Sequence, residues 1–210
     1  MLITYPLKTG LYVNLTNRCP CACDFCLRNN APGVYGTGSL WLEREPTVEE
    51  VIESIEHNLQ PKITEVIFCG YGEPTERLDA LLEVAAYLRE NHPGLKIRVN
   101  TNGLSDLIWN RSTAADFKGK VDTLSISLNT DDEEEYNNVC HPKFGLKSYK
   151  AMLKFAKDAA GTVPEVVMTI VDEPVTSKEK QARCRAIAES IGARLRIRPY
   201  ETTGDSELKS

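Results

Sequence analysis

Six short apolar runs rich in β-branched and aromatic residues recur along this chain: Leu11 to Leu15, Ile63 to Phe68, Leu95 to Val99, Val121 to Leu128, Glu165 to Val171, and Leu195 to Ile197. Each has the length and composition of a strand. Helix signals fall between them. Thr47 and Glu50 form a capping box before VIESIEHNL, Thr130 and Glu133 repeat it before EEYNNV, and Ser177 starts a last long helix that Gly192 ends. Strands alternating with helices at this spacing predict parallel βα units. Six units suit an open part-barrel, an α/β partial (βα)6 TIM-like barrel with parallel strands, better than a closed eightfold one of roughly 250 residues. A doubly wound open sheet is the alternative. Either architecture puts its working face at the C-terminal ends of the strands.

With 210 residues, 41% of them hydrophobic, the chain can bury one substantial core, so a single domain spanning 1–210 is expected. A formal charge of -5 with mixed signs argues against a general electrostatic grip on nucleic acid or an anionic membrane. No run approaches the roughly 20 apolar residues of a membrane span, and MLITYPLKTGLYVNLT lacks the order of a signal peptide. A cytoplasmic location follows as an expectation. Seven cysteines in a reducing compartment more often bind metal or do chemistry than form disulfides. Two segments depart from compactness. Residues 27–46, about 20 positions rich in Gly, Asn and Pro, form a long loop expected to be functional; residues 202–210 read as a polar tail.

The first parallel strand leads into NRCPCACDFCLRN, in which Cys19, Cys23 and Cys26 have the spacing C-x3-C-x2-C with Cys21 interposed. Three thiolates leave one iron of a four-iron cluster without a protein ligand, open to a small molecule, whereas electron-transfer clusters usually take four. A zinc site is the competing reading, but it wants four ligands, commonly in two separated pairs, and no second pair is present.

This loop, with Phe25 at its aromatic position, resembles the signature of the radical S-adenosylmethionine (radical SAM) superfamily, and the resemblance extends along nearly the whole chain. It implies a 4Fe-4S cluster on Cys19, Cys23 and Cys26, with S-adenosylmethionine as second cofactor, cleaved reductively to a 5'-deoxyadenosyl radical that acts on a substrate the sequence does not identify. An electron donor such as flavodoxin or ferredoxin is the implied partner. FCGYGEPTE is similar to the superfamily's Gly-Gly-Glu-Pro segment, which assigns Gly70, Tyr71, Gly72 and Glu73 to the methionine amino group. The resemblance also assigns cofactor contacts to Phe25, to Thr101 and Asn102 in NTNG, and to Ser127 and Asn129 in SISLN; Met168 would wall the adenine. FCGYGEPT and NVCHPKFG further resemble the small TatD-linked subgroup.

Some residues lie outside that pattern. Cys140 beside His141 is the candidate catalytic thiol, because a thiol near a cationic imidazole can react or donate hydrogen. Arg198, nearest the end of the last strand, is the candidate substrate clamp. Cys69 can be core or a second site thiol, and Cys184 sits at helical spacing with Ile187, Ala188 and Ile191, which makes it core. The 27–46 loop is the candidate lid. Other readings of the same parts are a glycyl-radical activase, a peptide- or nucleotide-modifying radical enzyme, and a simple electron-transfer iron-sulfur protein.

Overall fold

A computed structural model describes residues 1–30, 32–33 and 36–200. The proposed tail at 202–210 lies outside them.

The described residues divide into two compact units, one within 1–19 and 26–99, the other of 20–25 and 100–200. In the first, β1 (Thr4–Leu7) and β2 (Gly10–Val13) form an antiparallel hairpin, turned by Lys8 at φ 53°. Strand β3 (Glu65–Phe68) runs parallel to β2, and β4 (Lys96–Thr101) parallel to β3, in a register that aligns Val13, Phe68 and Val99. Helices α1 (Val48–Asn58) and α2 (Leu78–Asn91) cover these strands, burying Val51, Ile55, Leu78, Leu81 and Leu88 with Leu11, Val66 and Ile97.

The Thr47 and Glu50 capping box is present on α1, with Glu50 N donating to Thr47 Oγ1 at 3.2 Å and Thr47 N to Glu50 Oε2 at 2.8 Å. Strand β1 was not among the expected strands. It carries Pro6, which cannot donate to a ladder and so belongs on an edge strand such as this one.

In the second unit, β5 (Thr123–Ser127), β6 (Glu165–Val171) and β7 (Arg194–Arg198) are parallel neighbours. Around them stand α3 (Ser105–Trp109), α4 (Glu133–Cys140), α5 (Lys147–Ala160) and α6 (Lys178–Ser190). Phe117 and Phe155 meet edge to face at 6.1 Å, and Tyr136 packs on Tyr149 at 5.6 Å. Ser177 caps α6 as expected. Helix α4 is capped differently: Asp132, not Thr130, accepts from the Glu135 amide at 2.8 Å. The Thr130 hydroxyl instead bonds the Glu135 carboxylate, because Thr130 lies too far ahead of the first turn to reach its amides.

Strand order follows chain order, all steps between described pairs being parallel except β1 to β2. The fold is therefore α/β and open, a partial barrel of βα units with one added antiparallel edge strand. No helix among the described residues is long and apolar enough to cross a membrane.

Candidate active site

All seven cysteines are thiols. The four in the loop after β2 divide into two kinds. Cys19, Cys23 and Cys26 are half-buried, whereas Cys21 is buried and its sulfur accepts a long hydrogen bond from Asn102 Nδ2 at 3.8 Å. Among the described residues no three His, Cys, Asp or Glu side chains close on a single-ion site. The donor set fits a cluster, in which each thiolate takes a separate iron.

Within the first unit, the stretch leading into this loop is held by side chains that carried no sequence signal. Asn14 is fully buried and donates to the Leu40 carbonyl at 2.6 Å. Asn17 pairs twice with Leu42, donating from Nδ2 at 2.7 Å and accepting from its amide at 3.0 Å. Thr16 Oγ1 and Arg18 Nε each donate to Glu45 Oε1 at 2.7 Å, and Arg77 Nη1 donates to the Pro46 carbonyl at 2.6 Å. These contacts join residues 14–18, and Arg77, to 40–46, so they could not be read from local pattern.

The GYGE segment, after β3, rests on the same stretch. The Glu73 amide donates to the Arg18 carbonyl at 2.8 Å. A Cβ on Gly72 would stand 2.1 Å from the Thr16 carbonyl oxygen and 2.7 Å from that of Arg18; one on Gly70 would stand 2.0 Å from Asn14 Oδ1. Glycine is thus needed here for close approach to the chain entering the cysteine loop. Glu73 is buried and its Oε1 accepts from Thr75 N at 3.1 Å and Thr75 Oγ1 at 2.7 Å, fixing the carboxylate at the start of a 3-10 turn. Tyr71 is buried with Tyr5 and Leu40 and meets Trp41 edge-on at 5.2 Å. Burial, and then the neighbouring Cys26 charge, push its phenol up.

In the second unit, residues 20–24 lie along the end of α4. The Ala22 amide donates to the Cys140 carbonyl at 3.0 Å, Asp24 N to the Val139 carbonyl at 3.0 Å, and Lys143 N to the Pro20 carbonyl at 2.8 Å. Helix α4 ends at His141, which takes a left-handed φ of 44° and meets Asp24 Oδ1 with Nε2 at 2.8 Å. Cys140 itself is 0% exposed. Its thiol lies against that of Cys23 and accepts from Asn129 Nδ2 at 3.3 Å. The contact with Cys23, and then burial, hold its pKa well above the usual thiol range. The imidazole is therefore engaged with Asp24, and the pairing of Cys140 with a cationic His141 expected from the sequence is not formed.

The remaining candidates in this unit have mixed surroundings. Thr101 is buried, its hydroxyl accepting from Gly103 N at 3.0 Å; Asn102 Oδ1 accepts from Leu104 N at 2.9 Å. Both side chains build the NTNG turn, where Gly103 has φ 76°. Ser127 is half-buried and opposite Thr169. Met168 is fully buried between Ile126 and Leu195 in register, a core position.

Asn129 also has a left-handed φ, 64°, and its Oδ1 is buried without a hydrogen-bond partner. It lines a cleft of ≈ 250 Å³ with Phe25, Thr130, Val139, Thr176 and Lys180. Arg198 is half-buried at the end of β7, in register with Val171 and outside that cleft's lining. Cys184 is fully buried, its thiol pushed up to about 12 by burial and then by Asp131, as a core position requires.

An open part-barrel with a three-cysteine loop after its first parallel strand defines a class of cofactor-dependent α/β proteins. The match to known families is consistent with this. Residues 13–180 match the family model described as "Radical SAM superfamily", and the chain belongs to that superfamily, whose cofactors are a 4Fe-4S cluster and S-adenosylmethionine.

Among curated proteins it is similar to "Probable dual-specificity RNA methyltransferase RlmN 1" of Protochlamydia amoebophila (strain UWE25), 22% identical over 99% of this chain and 58% of that one. It is also similar to "Probable dual-specificity RNA methyltransferase RlmN" of Prochlorococcus marinus, 29% identical over 55% of this chain and 33% of that one. The chain thus spans at most about three-fifths of these relatives' length. A radical SAM methyltransferase from Sphaerobacter thermophilus shares the fold at TM-score 0.64 and 20% identity, over 93% of this chain and 56% of that one. Streptococcus suis SuiB does so at TM-score 0.65 and 18% identity, over 97% and 42%.

Proposed function

We propose that this chain is a radical SAM enzyme in which Cys19, Cys23 and Cys26 hold the cluster. The C-x3-C-x2-C spacing of three half-buried cysteines, with Cys21 between them buried, carries the reading. Cys21 is buried and accepts from Asn102 Nδ2, and ligation by the other three leaves one iron open for the second cofactor. Bound together, the two cofactors supply a one-electron cleavage of a sulfonium and a carbon-centred radical.

The protein's own share is placement. Gly70 and Gly72 let the GYGE segment sit against Asn14 and the Thr16 and Arg18 carbonyls, next in sequence to Cys19. The Thr75 bonds keep Glu73 from rotating, so a carboxylate stands ready for an ammonium group. Asn129 Oδ1, buried and unpartnered beside Phe25, offers an acceptor to a donor entering the cleft. Thr101, Asn102 and Ser127 contribute to the cofactor's surroundings by shaping the strand ends, and Met168 by packing the core behind them. Arg198 is retained as a substrate contact.

Anaerobic reconstitution followed by S-adenosylmethionine and reductant tests this reading. 5'-Deoxyadenosine should form in the wild type and in Cys21→Ala, and be lost in Cys19→Ala, Cys23→Ala and Cys26→Ala. A fully loaded, reducible cluster that yields none would refute it.

A further inference from the structure

The NVCHP segment is unexplained by the reaction as proposed. Its residues nevertheless hold the middle of the cysteine loop. Three backbone hydrogen bonds join 139–143 to 20–24. The Cys140 side chain adds something a backbone clamp does not need, since it sits at 0% exposure between two polar neighbours. On one side is Cys23, whose Sγ lies 3.7 Å from the Cys140 carbonyl and whose thiol contacts that of Cys140. On the other is Asn129 Nδ2, donating to Cys140 Sγ at 3.3 Å.

We infer that Cys140 is a positioning residue whose thiol donates a hydrogen bond to the Cys23 sulfur when that sulfur ligates iron, with Asn129 orienting the thiol from behind. The inference rests on the proposed cluster reading. Cys23 as an iron ligand is a thiolate, an acceptor only, and a buried neutral thiol beside it can only donate. The Asn129 amide donates to the Cys140 sulfur, which leaves the S–H free to point at Cys23 and polarises it in that direction.

Asn129 thereby serves two places at once. Its Nδ2 is fixed by Cys140, so its unpartnered Oδ1, on a residue 7% exposed, is the end left for the cleft shared with Phe25. Hydrogen bonds to cluster sulfurs stabilise the more negative, reduced state and raise the potential. Cys140 therefore makes the cluster easier to reduce rather than entering the chemistry itself.

The test is an EPR-monitored redox titration of reconstituted wild type, Cys140→Ala and Cys140→Ser, with iron and sulfide measured on each. Removing the donor should lower the reduced-to-oxidised ratio at a fixed potential about fivefold, the factor expected of one modest hydrogen bond, with Cys140→Ser in between. Iron lost in Cys140→Ala but kept in Cys140→Ser also supports a donor. Unchanged potentials, or equal shifts in both variants, would overturn the inference. So would loss of iron from both, which would make Cys140 a ligand. Failure of the wild type to take up iron would instead remove the cluster reading, and is seen in the first assay.

Discussion

The imidazole of His141 and the carboxylate of Asp24 meet at 2.8 Å across 117 residues of sequence, at the point where the cysteine loop lies along the end of α4. Both side chains are about half exposed, at 48% and 65%. Exposed pairs contribute little, about 0–1 kcal/mol. The backbone bonds beneath must carry most of the attachment. His141→Gln should therefore shift the melting midpoint by less than about 4 °C in a chain of this size, measured by circular dichroism.

His141 also occupies a left-handed conformation at φ 44°. Glycine adopts it without the Cβ penalty of about 1–2 kcal/mol. His141→Gly should thus be more stable than His141→Ala, and urea unfolding of the two variants would show the order.

Gly72 should not tolerate any side chain, since its Cβ would meet two backbone carbonyls of the chain entering the cysteine loop. Overpacking of this kind costs about 1–3 kcal/mol, occasionally more. Gly72→Ala should lower stability by at least that much and reduce iron uptake. Gly94→Ala, with nothing within 4 Å, should do neither.

The 27–46 loop was expected to act as a lid, but its second half is fastened. Leu40 and Leu42 are buried, and Asn14 and Asn17 bind their backbone. Asn14→Ala leaves the Leu40 carbonyl without that donor, at a cost of about 1–3 kcal/mol. Limited proteolysis should then cut within 36–46 faster than in wild type, at unchanged rates elsewhere.

Glu50 is held at a pKa of about 2, first by the Arg44 side chain and then by the Thr47 amide, against an ordinary value of 4.5. A carboxyl depressed in the folded state contributes stability above its unfolded pKa and loses it as pH falls through the folded one. The α1 cap should therefore weaken between about pH 4.5 and about pH 2. Glu50→Gln cannot titrate, so its urea midpoint should fall less steeply over that window than wild type's.

Local pattern made much of this molecule legible. The six parallel strands follow from runs such as EVVMTIV, which are apolar on both faces because helices cover them. The Thr47 capping box and the Ser177 cap follow from side chains within three residues of the amides they bind. Strand β1 was hidden, being four residues long with a proline and identifiable only by its partner β2.

What the sequence could not decide depended on residues far apart in the chain. Nothing local says that Cys21 turns toward Asn102, 81 residues away, or that Cys140 lies buried against Cys23 while His141 is taken by Asp24. A thiol's role is set by what surrounds it, and here Asn102, Asn129 and the end of α4 supply that surrounding. Spacing alone determined that three cysteines could share a cluster; only the tertiary structure could bury Cys21 against Asn102 and Cys140 against Cys23.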